Sequence, residues 1–181
     1  MSDLKKPAVF LDRDGVITIE NFAVTHPKSI KVMPFVASCI NELHNMGYLV
    51  LVITNQSGIA RGLFTINELE QAHKLIIKQT GIDDIFYCPH YIHGKVKEFS
   101  VECNCRKPRT GLINQALSKY HIDMSKSYMV GDRASDIMTG QNVGIRTVLL
   151  DSGYGRARLE QYVAADHYFA DLRDFVRFLE E

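Results

Sequence analysis

Asp12 and Asp14 stand one residue apart at the end of AVFLD, a short apolar run that breaks abruptly into charge. Ala8 to Asp12 reads as a buried parallel strand whose C-terminal end opens into a polar crevice. Open α/β sheets bind their ligands at such strand ends. Gly15 follows at once and lets the backbone turn where a side chain would obstruct it. Two carboxylates in one loop allow one to attack while the other moves protons, which suits covalent catalysis. Alone, the pair also admits a lesser reading, as strand-terminal Asp residues capping their own loop.

The rest of the chain separates these readings. Thr54 and Asn55 close the apolar run YLVLVITN, Arg106 and Lys107 follow a cysteine-rich insert, and Asp132 and Asp136 close SYMVGDRASD. Phosphoryl transfer needs a nucleophile, a proton carrier, donors for the equatorial oxygens and Mg²⁺ to offset charge. Asp12, Asp14, Thr54, Lys107 and Asp132 supply each part. Singly these signals are weak, since a strand-end Thr is usually a cap and Lys107 reads otherwise as a solvated lysine. Their joint order is much more specific.

Cys88, His90, Cys103 and Cys105 offer three thiolates and one imidazole, the donor set of a closed, structural Zn²⁺ site with no open position. The competing reading is buried free cysteines beside a chance histidine. Residues 88–107 have no sustained periodicity, so something other than a hydrophobic core must order them, and a zinc ion does so. Cys39 falls on a helical apolar stripe and reads as core, while His93 lies off the pattern, at the surface.

These residues must be positioned by alternating strands and helices. After the first strand, residues 16–33 form a long connection that reads either as polar side chains overhanging the crevice or as a solvated loop with a small hairpin. Pro34 opens a helix carrying Val36, Cys39, Ile40, Leu43 and Met46, stopped by Gly47. Residues 48–55 form the second buried strand. Thr65 and Glu68 make a capping box, with Phe64 packing on Leu69, so a helix starts near Ile66 and ends at Gly81. Ile85 to Tyr87 give a third strand, Leu112 to Tyr120 a helix, and Tyr128 onward a strand ending at Asp132. Arg146 to Leu150 and His167 to Phe169 are later strands, and the tail from Asp171 is an amphipathic helix.

At 181 residues, with 46% hydrophobic content and no linker or repeat, residues 1–181 are expected to form one domain. Formal net charge is zero, which gives no generic affinity for nucleic acid. No apolar stretch approaches the roughly 20 residues that span a bilayer, so a cytoplasmic protein with no membrane partner, acting as a monomer, is expected.

FLDRDGVI, VITNQSG, CRKP and GDRASD, in that order, resemble the haloacid dehalogenase (HAD) superfamily of phosphatases. The resemblance implies an α/β fold: a HAD-like Rossmannoid three-layer sandwich around a parallel sheet, with no separate cap domain. It makes Asp12 the nucleophile and Asp14 the group that protonates the leaving oxygen and then activates water. Thr54 and Lys107 would bind the transferring phosphoryl group; Asp12, the backbone carbonyl of Asp14, and Asp132 would hold Mg²⁺. Asp136 would support rather than ligate.

Within the superfamily, DRDG, TNQSGIARG and CPH…CNCRKP resemble the group of histidinol phosphate and heptose 1,7-bisphosphate phosphatases. The long spacer between His90 and Cys103 is similar to the heptose enzymes, whereas Arg133 in GDRASDI is closer to the histidinol phosphate branch. The heptose resemblance implies removal of the C7 phosphate from D-glycero-D-manno-heptose 1,7-bisphosphate, on the way to ADP- or GDP-heptose for surface glycans. The alternative is histidinol phosphate hydrolysis; a non-catalytic zinc-stapled binding module is a third reading. The substrate, a small phosphorylated sugar, would touch Glu20, Asn21 and Phe22, then Asn55, Gln56 and Ser57, then Arg106 and Arg133. With no cap, the crevice would be closed by loops 18–26, 57–64 and the zinc loop.

Overall fold

The computed structural model describes residues 5–20, 26–159 and 161–181. The element of greatest consequence is the first strand, β1 (Ala8–Leu11), all four residues of which are buried. Val9 and Leu11 enter one hydrophobic cluster and Ala8 and Phe10 another. Burial on both faces is what a central parallel strand requires, and it explains why the run is continuously apolar rather than alternating.

Around it lie β2 (Leu49–Asn55), β3 (Asp84–Cys88), β4 (Tyr128–Gly131), β5 (Arg146–Leu150) and β6 (His167–Phe169). They form one sheet in the order β3-β2-β1-β4-β5-β6, and every pairing is parallel. Helices α1 (Val36–Asn45), α2 (Ile66–Thr80) and α5 (Leu172–Glu180) cover one face, through residues such as Ile40, Leu43, Ile76 and Phe175. Helix α3 (Gly111–Lys119) covers the other through Leu112, Ile113 and Ala116, joined by α4 (Ala134–Val143), which packs Ile137 on Leu149. This is the expected three-layer α/β sandwich, and the strands of the described residues all belong to its single sheet.

Local signals account for the element boundaries. Thr65 and Glu68 form the reciprocal capping box at α2, Phe64 packs with Leu69, and Gly81 ends the helix at φ 79°. Asp171 caps α5 by accepting from Arg173 N at 2.8 Å. Two expectations need correction. Helix α1 starts at Val36 rather than Pro34, because Pro34 lies in the turn closed by the Val36 N to Met33 O bond of 3.1 Å and the helical bonding begins with Cys39 N to Phe35 O at 3.2 Å. The described ends of the 16–33 connection pair antiparallel, with Ile19 N bonded to Lys31 O and Met33 N to Ile17 O. Its root is not solvated, however, since Val16 and Ile17 are buried in the core.

Candidate active site

The order of strand addition reverses at β1, with β2 on one side and β4 on the other, so the C-terminal ends of β1 and β4 flank a crevice. Asp12 leaves β1 there and Asp132 leaves β4; Thr54 and Asn55 end the neighbouring β2. Lys107 arrives from the far end of the insert after β3, and its Nζ lies 2.7 Å from Asp12 Oδ1 and 2.6 Å from Asp136 Oδ1. Burial works against the charged form of this lysine, but the two carboxylates outweigh it and hold its pKa above the ordinary value.

Asp12, Asp132 and Asp136 are buried with carboxylate oxygens within 4.8 Å of one another. They outnumber Lys107 by two charges, the deficit that a divalent cation fills. Burial lifts Asp12 to about 6, with Lys107 pulling the other way. Burial, reinforced by Asp12 and Asp136, lifts Asp132 to about 8. Asp132 Oδ2 accepts from Tyr154 N at 2.7 Å, while its Oδ1 is buried with no hydrogen-bond partner. Leaving such an oxygen unsatisfied costs about 1–3 kcal/mol or more, and a hard cation that prefers oxygen ligands would satisfy it. Asp136 is differently placed: Oδ2 accepts from Arg133 N at 3.1 Å, and Oδ1 faces Lys107 at ion-pair distance though without hydrogen-bond alignment. Asp136 therefore anchors Lys107 and the start of α4. Two glycines make room for Asp132: a Cβ at Gly15 or Gly153 would fall 2.4 or 2.0 Å from its Oδ2.

Asp14 is held by three neighbours. Arg13 Nη2 donates to its Oδ1 at 2.9 Å and its Oδ2 at 2.7 Å; Gln56 Nε2 donates to Oδ2 at 3.1 Å and Thr18 Oγ1 to Oδ1 at 2.9 Å. Burial works to raise this carboxyl, yet the charge and hydrogen bonds of Arg13 outweigh it and keep Asp14 below the ordinary carboxylate range. An ionised carboxyl here can accept a proton, and its protonation is opposed by Arg13. Gln56 also donates to Thr54 Oγ1 at 2.9 Å, which leaves the hydroxyl hydrogen of Thr54 to point elsewhere.

The other expected residues divide. Asn55 closes its amide on the Lys107 backbone, donating to the carbonyl at 3.2 Å and accepting from the amide at 3.0 Å, so it fixes the lysine's entry. Glu20, Asn55, Gln56, Ser57, Arg106 and Arg133 all line a cavity of about 740 Å³ with Asp12, Thr54 and Lys107. Arg133 Nη2 donates to Glu20 Oε2 at 3.0 Å, and its guanidinium lies 3.8 Å from the Tyr154 ring centre. Asn21 and Phe22 lie outside the described residues. The sequence reading passed over Arg61 and Tyr91, which line the same cavity. The Tyr91 ring has the guanidinium of Arg61 at 4.4 Å and that of Arg106 at 5.2 Å. It also passed over Arg13 as a functional residue, since nothing local says that a charge between two Asp is buried.

Cys88, His90, Cys103 and Cys105 converge on one another. The Cys105 sulfur is 3.0 Å from that of Cys88 and 3.4 Å from that of Cys103, and His90 Nδ1 is 3.3 Å from Cys105 Sγ. A tetrahedral ion with bonds of about 2.0–2.3 Å requires donors roughly this close. Burial pushes the Cys88 thiol up, so a cation is the natural way to hold its thiolate. Apolar burial does not order the insert, whose Ile92 and Val101 are 53% and 42% exposed. Lys95 N and Val96 N both donate to Ala60 O, at 2.7 and 2.9 Å, docking the insert on the 57–64 loop.

A HAD-hydrolase-like family model matches residues 104–175. The D-glycero-beta-D-manno-heptose-1,7-bisphosphate 7-phosphatase of Salmonella typhi is 38% identical over 173 residues, covering 93% of this chain and 92% of its own. The D-glycero-alpha-D-manno-heptose-1,7-bisphosphate 7-phosphatase of Photorhabdus laumondii is 41% identical over 163 residues, covering 85% and 87%. Among solved structures, the D,D-heptose 1,7-bisphosphate phosphatase of B. bronchiseptica, complexed with magnesium and phosphate, aligns with TM-score 0.80 and 30% identity, over 96% of this chain and 98% of its own.

Proposed function

The chain belongs to the D-glycero-D-manno-heptose-1,7-bisphosphate 7-phosphatase family of HAD-like hydrolases, and we propose that it removes the C7 phosphate through an aspartyl phosphate on Asp12. It is a phosphomonoester hydrolase that uses Mg²⁺ and carries a structural Zn²⁺. One observation carries the residue-level reading: the cavity floored by Asp12, Lys107 and Thr54 is lined by Arg61, Arg106 and Arg133, giving a second phosphate both room and countercharge.

Asp12 attacks phosphorus and the bond to the C7 oxygen breaks, with Asp14 delivering the proton to that oxygen. Asp14, ionised again beside Arg13, then takes a proton from the water that attacks phosphorus, releasing inorganic phosphate and the Asp12 carboxylate. Lys107 offsets negative charge between nucleophile and phosphoryl group, and Thr54 donates to a phosphoryl oxygen. Asp12, Asp132 and the backbone carbonyl of Asp14 would hold Mg²⁺, which when bound would offset charge on the phosphoryl group. Arg106 and Arg133 receive the retained C1 phosphate, and Glu20 with Ser57 border the sugar.

Residues 1–181 act in this reading as one catalytic domain, a cytoplasmic monomer serving nucleotide-activated heptose for surface glycans. No helix among the described residues is long and apolar enough to cross a membrane. The deciding experiment is phosphate release from the 1,7-bisphosphate, in both anomers, against histidinol phosphate. Preference for the bisphosphate with heptose 1-phosphate as product is expected; preference for histidinol phosphate would overturn the substrate assignment.

A further inference from the structure

Arg13 and His73 are buried beside the reaction, and no step above employs His73. Arg13 is 1% exposed and its Nη2 and Nε grip Asp14, the latter at 3.1 Å from Oδ1. Its remaining nitrogen, Nη1, lies 3.1 Å from His73 Nε2. A guanidinium has donors and no acceptor, so the shared hydrogen belongs to Arg13 and His73 Nε2 supplies a lone pair. The imidazole is thereby fixed as the neutral ring with its hydrogen on Nδ1. Burial, aided by the charge of Arg13, pushes its pKa down to about 3, in keeping with this assignment.

His73 is 5% exposed on α2, and the ring of Tyr87 on β3 meets it edge-on at 5.4 Å. Tyr87 in turn donates its hydroxyl to Glu70 on α2 at 3.1 Å. Charge balance does not require this arrangement, because Asp14 already neutralises Arg13. What an acceptor at Nη1 adds is a fixed plane for the guanidinium, and that plane dictates where the two oxygens of Asp14 point.

We propose that His73 is a positioning residue for the hydrolytic reaction: a neutral imidazole that locks the Arg13 guanidinium and, through it, the carboxylate of Asp14. The inference rests on the phosphatase reading above. Misplacement of a catalytic group by about 1 Å costs on the order of 100-fold in rate, so loosening the lock should be seen in kcat. Substrate holding by Arg106 and Arg133 is untouched, so KM should not move.

The test compares wild type, His73→Phe and His73→Gln on the bisphosphate, with Tm measured for each. Phe keeps the ring packing against Tyr87 but removes the acceptor; Gln restores an acceptor. Expected are a fall in kcat of roughly 10- to 100-fold for His73→Phe with KM within twofold, and recovery of most of the loss in His73→Gln. Unchanged or raised kcat in His73→Phe, or a Gln variant as slow as Phe, would overturn the proposal. Should His73→Phe fail to fold, the Gln variant and a long-range ¹H–¹⁵N spectrum of the wild-type imidazole decide, with a hydrogen found on Nε2 counting against it. An inactive wild type would instead sink the phosphatase reading itself.

Discussion

At Asp132 burial lifts the carboxyl to about 8, and at Asp12 to about 6, each from an ordinary value of 3.8. The folded, magnesium-free chain therefore binds these protons more tightly than the unfolded chain does. The resulting stability is fully present below about pH 4 and is lost as pH rises through 6 and 8. In the proposed site Mg²⁺ would compete for the same oxygens in their ionised form. Melting of the magnesium-free protein should thus drop in temperature from pH 5 to pH 8, with added Mg²⁺ restoring more at the higher pH; an equal increment at both would contradict the assignment of these carboxylates. Asp12→Asn should cost about 10³-fold or more in turnover while leaving Tm within a few degrees, because Lys107 keeps Asp136 at 2.6 Å. Retained turnover would mean that another group attacks. At this scale the sequence disclosed residues whose position carries the signal: Asp12, Asp14, Thr54 and Asp132 all sit at strand ends. It did not disclose His73, because its partner Arg13 is 60 positions away and only the packing of α2 against the sheet joins them. Asn55 was legible as a site residue, but its grip on the Lys107 backbone was not.

Among the elements, the zinc-bearing insert has the least support from packing and the most direct connection to catalysis, since Cys105 is followed at once by Arg106 and Lys107. Removal of zinc should accelerate hydrogen exchange across residues 88–107 and lower Tm, with loss of turnover as Lys107 loosens. Unchanged exchange in that segment would show that the cluster does not staple it. The turn after β5 makes a separate demand. A Cβ at Gly153 would meet Asp132 Oδ2 at 2.0 Å and Gly15 Cα at 2.9 Å, both fixed by their surroundings. Gly153→Ala should therefore raise the Mg²⁺ concentration for half-maximal activity by about tenfold or more; an unchanged requirement would place the metal elsewhere. Apolar runs and caps made most elements readable: β5 and β6 match the expected bounds, and the Thr65–Glu68 box sets the start of α2. The burial of Val16 and Ile17 escaped, because two apolar residues in a polar connection have no period to betray which face they occupy.

Across the whole molecule, the order β3-β2-β1-β4-β5-β6 turns scattered residues into one centre. Lys107 and Asp12 are 95 positions apart in the chain and 2.7 Å apart in the fold. Alternation of strand and helix predicts a parallel sheet, but the meeting of Lys107 with Asp12 and Asp136 depends on how the insert returns over the crevice. No periodicity encodes that path; it became foreseeable only through the motif order shared with a known family. The central claim is that Asp12 forms and releases a covalent bond to phosphorus. Structure determination with fluoroberyllate and Mg²⁺ tests it most directly, because the beryllium should be found on an Asp12 carboxylate oxygen within reach of Lys107 and Thr54. An adduct on Asp14, Asp132 or Asp136, or no adduct at all, would contradict the account.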